Sequence, residues 1–247
     1  MLQKKIAGIP EKTELIILPE MFSTGFSMEK NSLAETMSGP TIEWMKKTAA
    51  GKGAIITGSI IAKEERGEAP VFYNRLIWML PTGESGFYDK RHLFAFGKED
   101  EHYSAGNKRL IASVNGWKIN LQICYDLRFP VWMRQSNTSV DVSKPEYDLL
   151  IVVANWPAAR VHAWRTLLQA RAIENQCYVI GVNRTGRDGK GLQYPGESMI
   201  VGPLGEPLKI LDAEEEIFSH TLEREKLDEI RLKFPFWRDA DAFFIQP

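Results

Sequence analysis

Glu20 closes the apolar run LIILPE, Lys90 closes GFYDK, and Cys124 closes NLQIC. Singly, each has an ordinary explanation. A glutamate after a strand is usually solvated, a lysine in DKRH usually lies at the surface, and a free cysteine packs as a small hydrophobe. Together they have a chemical logic. An unperturbed thiol, with a pKa near ~8.5, is a weak nucleophile at neutral pH. A lysine ammonium beside it favours the thiolate. A carboxylate within reach can take the thiol proton and later return it to a leaving amine. The ammonium, kept charged by carboxylates, can also hold the oxyanion of a tetrahedral intermediate. The trio suits amide hydrolysis, with carboxylate and ammonium in place of the usual histidine. The chain has four histidines, and none forms a Cys/His pattern. Sequence spacing alone does not bring residues this far apart together.

The elements that must position them are legible in the hydrophobic pattern. ELIILPE (14–20) reads as a buried strand ending at Pro19. TIEWMKKTAAGKG (41–53) predicts a helix with Thr41 as N-cap and glycines after it. AIITGSIIAKE (54–64) reads as a strand, plain or with a bulge at Gly58, and VFYNRLIWMLP (71–81) alternates as a strand. KINLQICYD (118–126), YDLLIVVANWP (147–157) and CYVIGVNRTG (177–186) are further strands. HAWRTLLQARAIENQ (162–176) has helical periodicity, with Trp164, Leu167, Leu168 and Ala172 on one face. SMIVGPLGEPLKIL (198–211) reads as a hairpin turning at 203–205, and 214–234 as a strand followed by a charged helix. RQSNTSVDVSKPEYD (134–148) reads as a surface loop after a short helix. Strands and helices intermixed throughout predict a layered α/β fold. Runs such as LLIVVA lack polar alternation, so both their faces should be covered.

No Gly/Ser/Pro-rich linker divides the 247 residues, which predicts a single domain over 1–247. A chain this long buries roughly 70–75% of its unfolded surface, so it needs neither disulfides nor a metal to hold its fold. The net charge of −1, with acids and bases interspersed, offers no case for a nucleic-acid or membrane partner. The two cysteines, Cys124 and Cys177, form neither a disulfide framework nor a metal pattern, which suits the cytoplasm. No signal peptide opens the chain, and no apolar run approaches the ~20 residues of a membrane helix.

LIILPEMFSTGF, YDKRHLF and QICYDLRFP resemble the three signature stretches of the nitrilase, or carbon–nitrogen hydrolase, superfamily. The family's Glu-Lys-Cys triad falls on Glu20, Lys90 and Cys124. The likeness continues through VVANWP, LLQARAIENQCYVIGVNRTG and GESMIVGPLGE, covering nearly the whole chain. Cys177, in ENQCYV, keeps a core reading. The family has a second glutamate between the lysine and the cysteine. Glu99 and Glu101 compete for that role; the family's spacing of seven residues before a loop glycine, here Gly106, favours Glu99.

What the resemblance implies is specific. Cys124 attacks an amide carbonyl while Glu20 accepts its proton, Lys90 and the Tyr125 N–H hold the oxyanion, and water then hydrolyses the thioester. No metal or organic cofactor is required. PEMFSTGFSM, CYDLRFPVW and ANWPAARVHAW most resemble the ω-amidase branch, whose enzymes deamidate 2-oxo acids bearing a terminal amide, such as 2-oxoglutaramate and 2-oxosuccinamate. Other amide or carbamoyl specificities on the same triad, and a non-catalytic binding protein on the same fold, are the competing readings. Phe26, Phe94, Tyr125 and Trp156 are candidates to line the pocket, with Trp156 preferred. Arg128 either meets the substrate carboxylate or orients the loop around Cys124, and Arg160 is usable as a carboxylate clamp only if its loop folds over the mouth. The implied fold is a four-layer α-β-β-α sandwich formed when two subunits pair, hence a homodimer or higher homo-oligomer. Family members begin with a strand and a full helix before the LIILPE strand, so the first strand is expected to be missing from this chain.

Overall fold

The computed structural model describes residues 2–10, 12–67, 69–135, 145–212 and 217–245. The chain gathers into two compact units, Met1–Leu110 with Glu215–His220, and Ile111–Glu214 with Thr221–Pro247.

The first unit runs α1 (Leu2–Ala7), β1 (Leu15–Ile17), α2 (Lys30–Leu33), α3 (Pro40–Lys52), β2 (Ile55–Arg66), β3 (Ala69–Met79) and β4 (Ser85–Asp89). Its sheet has the order β1-β2-β3-β4, with β1 parallel to β2 and the other pairs antiparallel. Helix α3 starts two residues earlier than a Thr41 cap would place it. Gly39, not Thr41, is the N-cap, and Pro40 takes the first position, where a missing N–H costs nothing. Thr41 is instead a helical residue whose N–H and hydroxyl both donate to the Glu35 carboxylate, at 2.7 and 2.5 Å. Gly53 ends the helix in the left-handed conformation, φ 61°. Ile42, Met45 and Ala49 of α3 pack on Ile56, Ile60, Ile77 and Met79 of the sheet. Each of these isoleucine and methionine side chains contributes about 1.5–3 kcal/mol on burial.

Strand alternation sends Ile61 and its cross-strand partner Asn74 to the other face, with Ser59 and Leu76 beside them. Strand β2 is plain at Gly58, since the β2–β3 register runs unbroken from Ile56 to Arg66. Gly58 serves a close approach instead: a Cβ there would stand 2.8 Å from the Leu18 Cβ and 2.9 Å from the Phe22 ring.

The second unit runs β5 (Ile111–Val114), β6 (Trp117–Ile123), α4 (Pro130–Met133), β7 (Leu149–Ala154), α5 (Val161–Asn175), β8 (Tyr178–Asn183), β9 (Thr185–Arg187), β10 (Gln193–Pro195), β11 (Met199–Val201), β12 (Pro207–Ile210) and α6 (Arg224–Lys233). Its six-stranded sheet has the order β12-β11-β8-β7-β6-β5. The centre, β6-β7-β8, is parallel, and the flanking pairs are antiparallel. Parallel neighbours require a crossover, and α5 supplies the one between β7 and β8. Its Trp164, Leu168 and Ala172 pack with Leu150, Val152, Ala154 and Val179 as the periodicity predicts.

Two expectations fail here. Residues 217–223 form no strand before α6, and 213–216 lie outside the described residues. Of the expected surface loop, 136–144 lie outside the described residues, and its end is not at the surface. Tyr147 and Asp148 are buried, because Asp148 pairs with Arg231 at 2.6 Å and Arg224 at 3.1 Å. No helix among the described residues is long and apolar enough to cross a membrane.

Candidate active site

In the first unit, Glu20, Lys90 and Glu99 meet in one buried cluster. The lysine is fixed from its backbone outward. Lys90 N–H donates to Asn74 O at 3.0 Å, and its carbonyl accepts from Gly106 N–H at 2.9 Å. The preceding Asp89 is clamped by Arg75, whose Nε and Nη2 donate to its two oxygens at 2.7 and 2.8 Å. Burial pushes the Asp89 carboxyl up, with the Arg75 guanidinium pulling against it. The Lys90 side chain is 1% exposed, and its ammonium donates to Glu20 Oε1 at 3.0 Å and to Glu99 Oε1 and Oε2 at 3.0 and 2.8 Å. An isolated ammonium at such a depth would be prohibitively costly, so the two carboxylates are what permit it. The Phe26 ring centroid lies 5.6 Å from Nζ, within cation–π range.

Glu20 is held by the turn after β1. Leu18 N–H donates to Thr57 O, and Met21 N–H donates to Ser59 Oγ at 2.8 Å. Met21 adopts φ 43°, a left-handed conformation that non-glycine residues take only under constraint. Glu99 opens a 3-10 turn, Glu99–Glu101, and is fully buried. The Phe94 N–H donates to its Oε2 at 2.7 Å. Glu101, two residues on, is exposed and lies 3.6 Å from the Lys98 ammonium. Geometry thus separates the two glutamates that sequence leaves in competition. Tyr103 donates to Ser27 O at 2.5 Å, tying the Glu99 loop to the loop after Glu20. Burial first, then the Glu99 and Glu20 carboxylates, push its hydroxyl up, against the opposing effect of Lys90.

One member of this cluster is missed by the sequence reading. Asn74, fully buried on β3, donates through Nδ2 to Glu20 Oε1 at 2.8 Å and to Glu99 Oε1 at 3.0 Å. The available signal was an asparagine inside the strand VFYNRLIWM, a residue type that strands disfavour.

The second unit holds the other candidates. Cys124 is half-buried and begins a 3-10 turn, Cys124–Arg128, directly after β6. Its φ of 45° places a β-carbon-bearing residue in the left-handed region, and strain of this kind, of order 1–3 kcal/mol, gathers at functional sites. Two buried polar residues hold the turn. Asp126 Oδ2 accepts the Ile123 N–H at 3.1 Å, and Arg171 of α5 donates to Leu127 O at 2.6 Å. Tyr125 meets Phe129 edge-on, with centroids 5.1 Å apart. Arg128 lies with its guanidinium 4.9 Å from the Trp156 ring centroid. Trp156 itself is buried, its ring against Trp164 and its Nε1–H donating to Arg160 O at 2.7 Å. Cys177 lies in the apolar core of this unit, where burial pushes its thiol up to about 12. Among the described residues, no group of three or more His, Cys, Asp or Glu is placed to hold a metal ion.

Comparison with known proteins gives a consistent picture. The carbon–nitrogen hydrolase family profile matches residues 2–232. The chain is 44% identical to the omega-amidase YafV of Escherichia coli K12 over 243 residues, covering 97% of this chain and 89% of that protein. It is 32% identical to the 2-oxoglutaramate amidase of Bacillus subtilis over 228 residues, covering 92% and 84%. Among solved structures it is similar to a CN-hydrolase superfamily protein of Xanthomonas campestris that carries an arsenic adduct in its active site. The TM-score is 0.95 at 44% identity, covering 99% of this chain and 91% of that one.

Proposed function

The chain belongs to the carbon–nitrogen hydrolase family, and from that membership we propose that it is an omega-amidase with Cys124 as nucleophile. Its reaction converts the terminal amide of 2-oxo dicarboxylic monoamides, such as 2-oxoglutaramate and 2-oxosuccinamate, to the acid and ammonia. The observation that carries the reading is the buried Lys90 ammonium between the Glu20 and Glu99 carboxylates, in a chain 44% identical to an omega-amidase.

The thiol of Cys124 adds to the amide carbonyl carbon, and Glu20 takes its proton. Lys90 and the Tyr125 N–H stabilise the oxyanion that forms. Collapse of the tetrahedral intermediate breaks the C–N bond, and the proton held by Glu20 leaves with ammonia. Water, deprotonated by Glu20, then attacks the thioester, and the thiol is restored as the acid departs. Glu99 holds the Lys90 ammonium in place throughout.

The substrate carries a carboxylate remote from the scissile amide. Arg128, four residues beyond Cys124, is half-buried, and among the described residues its guanidinium has no ion-pair partner. The Trp156 ring presents it, and a planar guanidinium matches a carboxylate in two parallel hydrogen bonds.

The test is ammonia release from a panel of 2-oxoglutaramate, 2-oxosuccinamate, glutamine, short aliphatic amides, N-carbamoyl amines and nitriles. Cys124→Ala serves as the blank. The 2-oxo acids are expected to be turned over best. A preference for glutamine over its 2-oxo analogue sinks the omega-amidase assignment, and full activity in Cys124→Ala sinks the mechanism. By the same family likeness the working form is a homodimer or higher homo-oligomer, which sedimentation of the purified protein measures.

A further inference from the structure

We propose that Asn74 is a positioning residue: its carboxamide bridges Glu20 and Glu99 and sets the orientation of both carboxylates around Lys90. Its role in turnover rests on the amidase reading above. The geometry is a closed ring of four atoms. Glu20 Oε1 and Glu99 Oε1 each accept from Lys90 Nζ, both at 3.0 Å, and each accepts again from Asn74 Nδ2, at 2.8 and 3.0 Å. One ammonium faces two buried carboxylates, so the site carries an excess negative charge. A second cation would cancel that remaining charge and draw on the same carboxylate oxygen of Glu20 that must carry the proton. A neutral amide offers two N–H donors without adding charge.

A second observation shows that this orientation is retained at a cost. The other end of the same carboxamide, Asn74 Oδ1, is buried and has no hydrogen-bond partner among the described residues. A buried acceptor left unsatisfied is destabilising. Flipping the amide would not relieve it, because Oδ1 would then face two carboxylate oxygens. The side chain is locked with Nδ2 toward the carboxylates and carries an orphaned oxygen behind it. An apolar residue would fill the strand without that defect, so what keeps asparagine here is what its N–H groups do.

The position reinforces this. Asn74 also accepts the Lys90 N–H through its backbone carbonyl at 3.0 Å. The next residue, Arg75, clamps Asp89, the residue before Lys90. Two consecutive residues of β3 therefore register the lysine, Asn74 through its backbone carbonyl and Arg75 through its grip on Asp89.

The experiment compares wild type with Asn74→Leu, close in size but without donors, and Asn74→Asp, which places a third carboxylate against the other two. In Asn74→Leu, kcat for the best amide is expected to fall about 30- to 100-fold with KM within about threefold, the cost of a reacting group misplaced by a fraction of an ångström. Asn74→Asp should fall further, since it regains a donor only by holding a proton. A merely structural role would not split kcat from KM in this way. A readout independent of any substrate accompanies it: the 13C carboxyl signals of Glu20 and Glu99, assigned through Glu→Gln variants, are expected to move in folded Asn74→Leu. If both variants fold and keep kcat within threefold, or if the two carboxyl signals stay in place, the proposal is overturned. If the carboxyl signals move while no amide is hydrolysed by wild type, the bridge stands and it is the amidase reading that has failed.

Discussion

Gly106 offers a sharp test of how Lys90 is held. It lies outside every helix and strand, and its N–H donates to the Lys90 carbonyl at 2.9 Å. A Cβ built on it would stand 2.8 Å from the Asp89 carbonyl carbon and 2.9 Å from the Asp89 Cβ, with the carbonyl oxygen closer still. The obstacle is backbone, and Asp89 cannot swing aside because Arg75 grips both of its oxygens. In Gly106→Ala the two segments must therefore separate by about 1 Å, and overpacking of this kind costs about 2–3 kcal/mol. For a chain of this size that lowers Tm by about 5–10 °C. The displaced segment includes the backbone of Lys90, and a 1 Å misplacement of a catalytic group costs about 100-fold in kcat. The control is Gly51→Ala in α3, where a Cβ meets nothing within 4 Å. There the loss of a helical glycine stabilises by about 0.5–1 kcal/mol and leaves kcat unchanged. Thermal unfolding and initial rates of ammonia release on the three proteins decide the matter. If Gly106→Ala matches wild type in both Tm and kcat, the reasoning about how the lysine is anchored is wrong.

Other predictions follow from the same geometry. Glu99→Gln should lower kcat by at least about 100-fold, since its carboxylate takes two of the Lys90 hydrogen bonds, whereas Glu101→Gln, exposed, should stay within about twofold. Mass spectrometry after iodoacetamide treatment should find Cys124 alkylated in the native protein and Cys177 alkylated only after unfolding, because Cys177 is fully buried and its thiol is pushed up to about 12. That raised value also gives a pH dependence. The folded state keeps the Cys177 proton where the unfolded chain loses it, so this contribution to stability is complete below the ordinary thiol range and is lost as pH rises toward about 12. Urea midpoints should therefore fall more steeply above pH 9 in wild type than in Cys177→Ala, with a difference of at most about 1.4 kcal/mol per pH unit; parallel slopes refute it.

Much of the fold was legible because strands and helices announce themselves locally. The apolar runs before Glu20 and Cys124, and the face of α5 that carries Trp164, Leu168 and Ala172, depend only on neighbours a few residues away. Where local signals competed, partners beyond the immediate neighbours settled the outcome. Thr41 looks like an N-cap, but Glu35 reaches across to take its N–H and hydroxyl. At Gly58 the plain strand holds over the bulge that was the alternative, and the glycine makes room for Leu18 and Phe22. Asp148 looks like the end of a polar loop, but Arg231 of α6 draws it inside.

The candidate site divides along the same line. Residue types and strand-end positions alone were enough to single out Glu20, Lys90 and Cys124 as chemically capable groups. They could not choose between Glu99 and Glu101, whose side chains are identical and two positions apart. Which one turns inward is decided by the 3-10 turn and by the Phe94 N–H that receives it. Nor could they find Asn74, whose partners stand 54 and 25 residues away and meet it only when β3 pairs with β2 on one side and β4 on the other. Sequence determined which groups are able to react, because reactivity belongs to the side chain. Tertiary structure decided how a buried ammonium is shared between carboxylates, because hydrogen bonds form between residues that pairing, and not proximity in the chain, brings within 3 Å.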